Sequence, residues 1–219
     1  MKKYLLCWIM LTMCMTLTSC KPKNDLEYIL SNASCDSPCW LGMTPGATMV
    51  EEAHQQLVTY PGVVNQEKIF DVPAREAYPQ RIRFEVLFSE SLSYLHFENG
   101  QLSLIEINVD KKKMKLESGI GLYGTPEKVI YQSYNCAARF VGQTRCTRIY
   151  LDYPQKGLIL SYQQKGGDFR TLIIDPNQQI DLVYFYVPGS DPLQELTSWL
   201  DGERIIDWPG YAEIVDIWD

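Results

Sequence analysis

Ser93-Tyr94-Leu95-His96-Phe97-Glu98-Asn99-Gly100-Gln101-Leu102-Ser103-Leu104-Ile105-Glu106-Ile107-Asn108-Val109 reads as two strands joined by a tight turn. Asn-Gly is the strongest short hairpin signal, because both central residues of a type I′ turn need positive φ. Just upstream, Arg81 to Phe88 alternates with period two. Ile82, Phe84, Val86 and Phe88 therefore share one face of a strand. Further upstream the pattern turns helical. Thr48 is placed to cap a helix, with Glu51 three residues on as its capping-box partner. Met49, Val50, Ala53, Gln56 and Leu57 form the stripe, and Tyr60-Pro61-Gly62 ends it.

Downstream the order repeats. Lys111 to Tyr123 is a polar linker carrying a weaker helix, and Gly124-Thr125-Pro126-Glu127 is a turn. Strands are expected over Lys128 to Tyr134, Arg148 to Tyr153, Gly157 to Gln163 and Gln179 to Val187. Gly166-Gly167 and Asp175-Pro176-Asn177 punctuate them. Asp191 and Pro192 open a final helix to Leu200, as cap and first helical residue. Trp208, Tyr211 and Trp218 close the chain. Helix, strands, helix, strands, helix suggests two copies of one unit. The expected fold is α+β: two tandem units of a helix packed on a small antiparallel sheet, with a C-terminal helix. The expected divisions are 1–19, a signal peptide; 20–38, an anchor and tether; 39–110 and 111–190, the two units; and 191–219, the helix and aromatic tail.

Pro38-Cys39-Trp40-Leu41-Gly42-Met43-Thr44-Pro45-Gly46, followed by a helix and antiparallel strands, resembles a group of uncharacterised bacterial lipoproteins. These in turn resemble the small lipoprotein of the outer-membrane barrel assembly machine and the β-lactamase inhibitor protein. Gly42-Met43-Thr44 matches the start of the family helix, and Gly124-Thr125-Pro126 matches the Gly-x-Pro turn after it. Tyr60-Pro61-Gly62 departs from that order. The resemblance implies tandem helix-plus-sheet units and protein binding or envelope scaffolding, not catalysis, and it transfers no functional residue.

The N-terminus states a destination. Lys2 and Lys3 precede an uncharged apolar run from Tyr4 to Leu17, and Leu17-Thr18-Ser19-Cys20 has the form of a lipobox. The run is short for a membrane span, which needs ~20 apolar residues, and fits a signal peptide. Cleavage before Cys20 would leave a lipidated cysteine. Each acyl CH₂ buried in a bilayer contributes ~0.8 kcal/mol, so two or three chains hold a protein to a membrane. Lys21, rather than Asp, follows Cys20; in a host with two membranes this favours the outer one. The expected location is thus extracytoplasmic, lipid-anchored to the cell membrane or outer membrane. The expected partners are the lipid membrane through Cys20 and another envelope protein.

Loss of Lys2 and Lys3 takes the formal charge from −7 to −9. An acidic chain without basic patches is a poor match for nucleic acid, whose phosphates select Lys and Arg. Of seven cysteines, Cys7 and Cys14 leave with the signal and Cys20 takes lipid. Cys35, Cys39, Cys136 and Cys146 remain. An even number in an exported chain reads as disulfides. The local pairs Cys35–Cys39 and Cys136–Cys146 are favoured, with a four-cysteine zinc site as the rival. Structural zinc usually takes tighter Cys-x-x-Cys spacing.

No catalytic constellation stands out, and no cofactor or metal is expected. His54 and His96 lack partners at metal spacing. Gly119 to Gly124 fits Gly-x-Gly-x-x-Gly by letter, without the strand and helix that motif needs. Asp168, Asp175 and Asp181 fall near turns, where Asp is common for turn reasons alone. Glu85 and Glu106 lie on strands. A hydrolase would need two of these carboxylates at fixed separation in a cleft. Tyrosines offer another signal. Tyr184 and Tyr186 share one face of a strand, with Val183, Phe185 and Val187 on the other. Tyr and Trp favour interfaces because they combine apolar area with a polar handle. Tyr184, Tyr186, Trp208 and Tyr211 are therefore the candidate binding surface, for an envelope protein or, alternatively, for a glycan or small ligand.

Overall fold

The computed structural model describes Leu30 and residues 37–75, 79–87, 89, 91–109, 114–137, 143–165, 171–190 and 204–215, with the side chains of 135–137, 143–145 and 165 outside that description. The signal sequence, the tether around Cys35 and the expected helix after Asp191 lie outside the described residues, as do Phe88, Asp168 and Trp218.

Helix α1 spans Val50–Thr59. Its cap is Met49, not Thr48, and no side chain caps it. The Thr48 hydroxyl is used one turn earlier, accepting from the Thr44 amide at 2.9 Å. That bond closes the Thr44–Thr48 turn, so the capping box expected with Glu51 does not form. Strands β1 (Phe70–Val72), β2 (Gln80–Glu85), β3 (Leu92–Glu98) and β4 (Gln101–Asn108) follow. The β3–β4 turn is the expected one: Asn99 and Gly100 take φ of 52° and 81°. Helix α2 spans Leu116–Tyr123. After it come β5 (Lys128–Ala137), β6 (Gln143–Tyr153), β7 (Leu158–Lys165), β8 (Leu172–Ile174), β9 (Leu182–Tyr186), β10 (Arg204–Asp207) and β11 (Ala212–Ile214).

These strands overturn the α+β expectation of two tandem helix-on-sheet units. The described chain is mostly β, with two helices, one nine-stranded antiparallel sheet and one two-stranded sheet. The large sheet runs β1-β2-β3-β4-β9-β7-β6-β5-β10, and β11 pairs with β8. The joint is β4 with β9, in the register Leu104↔Tyr186 to Asn108↔Leu182. Two separate small sheets would each have left a row of unpaired backbone N–H and C=O groups along an inner edge. Pairing β4 with β9 satisfies both rows at once. Four short strands (β1, β8, β10 and β11) add to the β content without any alternation visible in the sequence.

Both helices lie on one face of the large sheet. That face carries Ile82, Phe84, Leu95, Phe97, Ile105, Ile107, Val129, Ile149, Leu151, Leu158, Leu160, Val183 and Phe185, all buried in one continuous core. Ala53 and Leu57 of α1 and Leu116 of α2 join it. Gly119 lets α2 come close: a Cβ there would lie 2.8 Å from Ile180 Cδ1 and 2.9 Å from Leu160 Cδ1. Both glycines of the Gly-x-Gly match thus lie within α2; Gly119 is needed for packing, while Gly121 faces open space. No helix of the described residues is long and apolar enough to cross a membrane.

The β6–β7 turn depends on Gly157. Its φ is +54°, and a Cβ there would sit 2.2 Å from the Tyr186 carbonyl oxygen. The Gly157 carbonyl in turn accepts from the Tyr186 amide at 2.8 Å, so neither backbone can retreat. Gly157→Ala is expected to cost about 1–3 kcal/mol, toward the upper end because strain and clash combine. Urea unfolding reads this directly. A midpoint equal to that of the parent protein would show that the turn can relax.

Candidate functional site

The face of the sheet away from the helices is assembled from alternate residues of the same strands. In register across it lie Arg83 and Tyr94, Tyr94 and Glu106, Glu106 and Tyr184, Tyr184 and Ile159, and Ser161 and Tyr150. Its centre is a second apolar cluster of Leu104, Ile130, Tyr150, Ile159, Tyr184 and Tyr186, with Leu182 packed against it. Every member comes from a sheet strand.

Polar groups flank this cluster on two sides. On the β2–β4 side, His96 Nε2 lies 3.5 Å from Glu106 Oε2, and the Tyr94 and His96 rings are 6.1 Å apart. Arg83 spreads its guanidinium 4.8 Å above the Phe70 ring, and its buried Nε has no hydrogen-bond partner among the described residues. Arg83, Tyr94, His96 and Glu106 are all half-buried. On the β6 side, Arg148 Nη1 contacts Asp181 Oδ1 at 2.5 Å. Burial works against the charge of Arg148. Asp181, with the neighbouring Tyr184, Tyr134 and Tyr150, outweighs it and holds the guanidinium above its usual range. Burial pushes the Tyr184 phenol well above its ordinary value, and Glu106 adds to the effect. Burial likewise pushes Tyr150 up to about 12. These phenols are neutral hydrogen-bonding groups, not bases.

Tyr186 is anchored from its hydroxyl, which donates to Asp152 Oδ1 at 2.7 Å. Burial raises the Asp152 carboxyl above the usual carboxylate range, and the Tyr186 bond only partly opposes this. A carboxyl raised in the folded state disfavours folding while it is charged, and that penalty disappears as pH falls through the folded value. Asp152→Asn keeps an acceptor for Tyr186 and removes the charge. It is expected to leave the melting temperature at pH 7 unchanged or higher, and a fall would contradict this account.

The four residues of the candidate binding surface do not form one surface. Tyr184 and Tyr186 are adjacent on β9 but only 4% and 2% exposed, so both faces of this strand are buried. Trp208 and Tyr211 lie elsewhere, with rings 5.9 Å apart and edge to face. Trp208 packs against the helix-side core, and Tyr211 is 45% exposed. What stays open on the Tyr184 face is the β2–β4 flank, whose residues the sequence did not group. Strand register would have revealed it: Arg83, Tyr94, Glu106 and Tyr184 form one cross-strand row.

The remaining candidates are dispersed. His54 is half-buried on α1. Glu85 is taken by Lys68 at 2.6 Å, whose hydrogen bond, with that of Asn65, holds the Glu85 carboxyl below the usual range. Asp175 Oδ1 accepts from the Asn177 amide at 2.7 Å, closing a turn. Among the described residues, no three His, Cys, Asp or Glu side chains come together as a metal site. Cys39 and Cys146 are each disulfide-bonded, so neither is a zinc thiolate; the side chains of Cys35 and Cys136 lie outside the described residues. No protein-family model, curated protein or solved structure matches the chain.

Proposed function

We propose that this protein is a lipid-anchored, extracytoplasmic lipoprotein that binds another envelope protein through the open flank of its non-helical sheet face. The observation that carries the reading is the lipobox Leu17-Thr18-Ser19-Cys20 behind a charged and then apolar leader. The disulfide state of Cys39 and Cys146 agrees with it, since disulfides persist outside the reducing cytosol. The binding surface is the row of Arg83, Tyr94, His96 and Glu106. It offers an aromatic ring and a positioned guanidinium beside a solid apolar floor, groups that protein interfaces favour, with a carboxylate next to them.

Two measurements test this. Cys20→Ala should leave the protein unprocessed or released from membranes; unchanged fractionation and no lipid mass on the parent protein would sink the anchor. A crosslinked pull-down from the host, read by mass spectrometry, should recover one envelope protein repeatedly. That recovery should be lost in Tyr94→Ala and Arg83→Ala. These half-open positions are better probes than Tyr184 and Tyr186, whose truncation would open a cavity in the sheet. Recovery of abundant bystanders alone would overturn the protein-binding reading.

A further inference from the structure

β1 is the last strand at one end of the nine-stranded sheet. It pairs with β2 alone, in the register Phe70↔Arg83 to Val72↔Arg81. Among the described residues, the outer side of its backbone has no strand partner. Phe70 is 42% exposed and Asp71 is exposed beside it, so this edge is open to solvent. Phe70 and Arg83 stand side by side on the sheet face that carries Tyr94 and Glu106. The guanidinium carbon of Arg83 lies over the Phe70 ring, 4.8 Å from its centre. That contact holds the cation in place and leaves its N–H donors to oxygen ligands. Among the described residues Arg83 makes no hydrogen bond or ion pair. Its Nε is buried, and its two terminal nitrogens are not.

The carboxylates on this flank are turned to other groups. Glu85, two residues along β2 on the same face, takes Lys68 on one oxygen at 2.6 Å and Asn65 on the other at 3.3 Å. Glu106 is two strands away across Tyr94, ~10 Å from Arg83 between backbones, and lies against His96. Arg83 is thus a half-buried cation without a countercharge, in a chain of net charge −7. The partner that best completes it is a carboxylate, which a guanidinium holds by two parallel N–H···O bonds. Resting on the protein-binding reading above, we infer that an extended acidic segment of the partner protein adds as a strand beside β1 and places an Asp or Glu side chain on Arg83. A residue paired with Phe70 points to the same face as Phe70 and Arg83. Its Cα stands two strand spacings, ~10 Å, from that of Arg83, a gap that a Glu and an Arg side chain together span. Backbone bonds to the β1 edge supply the hold, and the carboxylate supplies the selectivity.

The test uses the full chain, purified as its host processes it and held in phosphatidylcholine nanodiscs. The probes are capped fluorescent peptides Thr-Val-Thr-X-Thr-Val-Thr, with X as Glu, Gln or Lys. Fluorescence anisotropy should show saturable binding of the Glu peptide, about tenfold weaker binding of the Gln peptide and none of the Lys peptide. In Arg83→Gln, with a melting curve like that of the parent, the Glu and Gln peptides should bind alike. Arg83→Lys keeps the charge without the fork and should retain part of the preference. Methylating alternate backbone amides of the Glu peptide should abolish binding in one phase and spare it in the other, as strand pairing demands. No saturable binding, equal binding of the Glu and Gln peptides to the parent, or survival in both methylated phases overturns the proposal. Displacement of the Glu peptide by phosphatidylglycerol in the nanodisc overturns it too, Arg83 then serving a lipid headgroup. The pull-down above is read separately: a partner recovered with the parent and kept in Arg83→Gln removes this role from Arg83 while the sheet face still binds protein.

Discussion

Asp181→Ala is expected to lower the stability of the protein by about 3–5 kcal/mol, as breaking one side of a buried ion pair does. Arg148 and Asp181 are 18% and 8% exposed at their side chains. The groups around the guanidinium, Tyr134, Tyr150 and Tyr184, are phenols that hydrogen-bond but carry no countercharge. Removing the carboxylate leaves a largely buried cation whose side chain keeps only 18% of its surface open to water. The backbone at 181 would stay in place, since its amide donates to the Ser161 carbonyl at 2.9 Å and its carbonyl accepts from Val109 at 3.0 Å. The loss is therefore electrostatic. Replacing both partners together, Arg148→Met with Asp181→Leu, should restore most of the stability, because an apolar pair of similar volume has no desolvation cost to recover. Urea unfolding of both single variants and the double variant measures the coupling. A single-variant loss below about 1 kcal/mol would mean that the pair is solvated, as exposed pairs are.

Trp40→Ala should cost a similar amount, about 3–5 kcal/mol, for a different reason. Trp40 is fully buried and is among the largest side chains in the core. Its ring stacks on Phe84 at 5.6 Å and 27°. Its backbone exchanges two hydrogen bonds with Met43, each 2.9 Å, so the segment is pinned and the cavity cannot collapse. Trp40→Phe should cost clearly less, because much of the stacking surface is kept. Equal losses for Ala and Phe would show that the indole is not filling a well-packed site. Loss below about 1 kcal/mol for Ala would remove Trp40 from the core.

Much of the local structure was legible. The Asn99–Gly100 turn was, because positive φ at two successive residues selects those residue types. The burial of Ile82, Phe84 and Val86 was, because a strand exposes alternate residues to one side. The C-terminal end of α1 followed from Tyr60-Pro61-Gly62. Thr48 misled because its hydroxyl had two possible amides to serve, and the Thr44 turn took it. Strands β1, β8, β10 and β11 are three or four residues long, too short to show a period, and exist because a neighbouring strand offers unpaired backbone groups.

By itself, the sequence determined the turn at Asn99–Gly100, the C-terminal end of α1 and the apolar side of β2, because these depend on residues close together in the chain. Only the tertiary structure decided that β4 meets β9 and that two expected small sheets are one, because backbone edges pair with little regard to side-chain identity. It alone placed Arg148 against Asp181 and His96 against Glu106. Those meetings are set by strand register across the whole sheet, which no single stretch of sequence encodes.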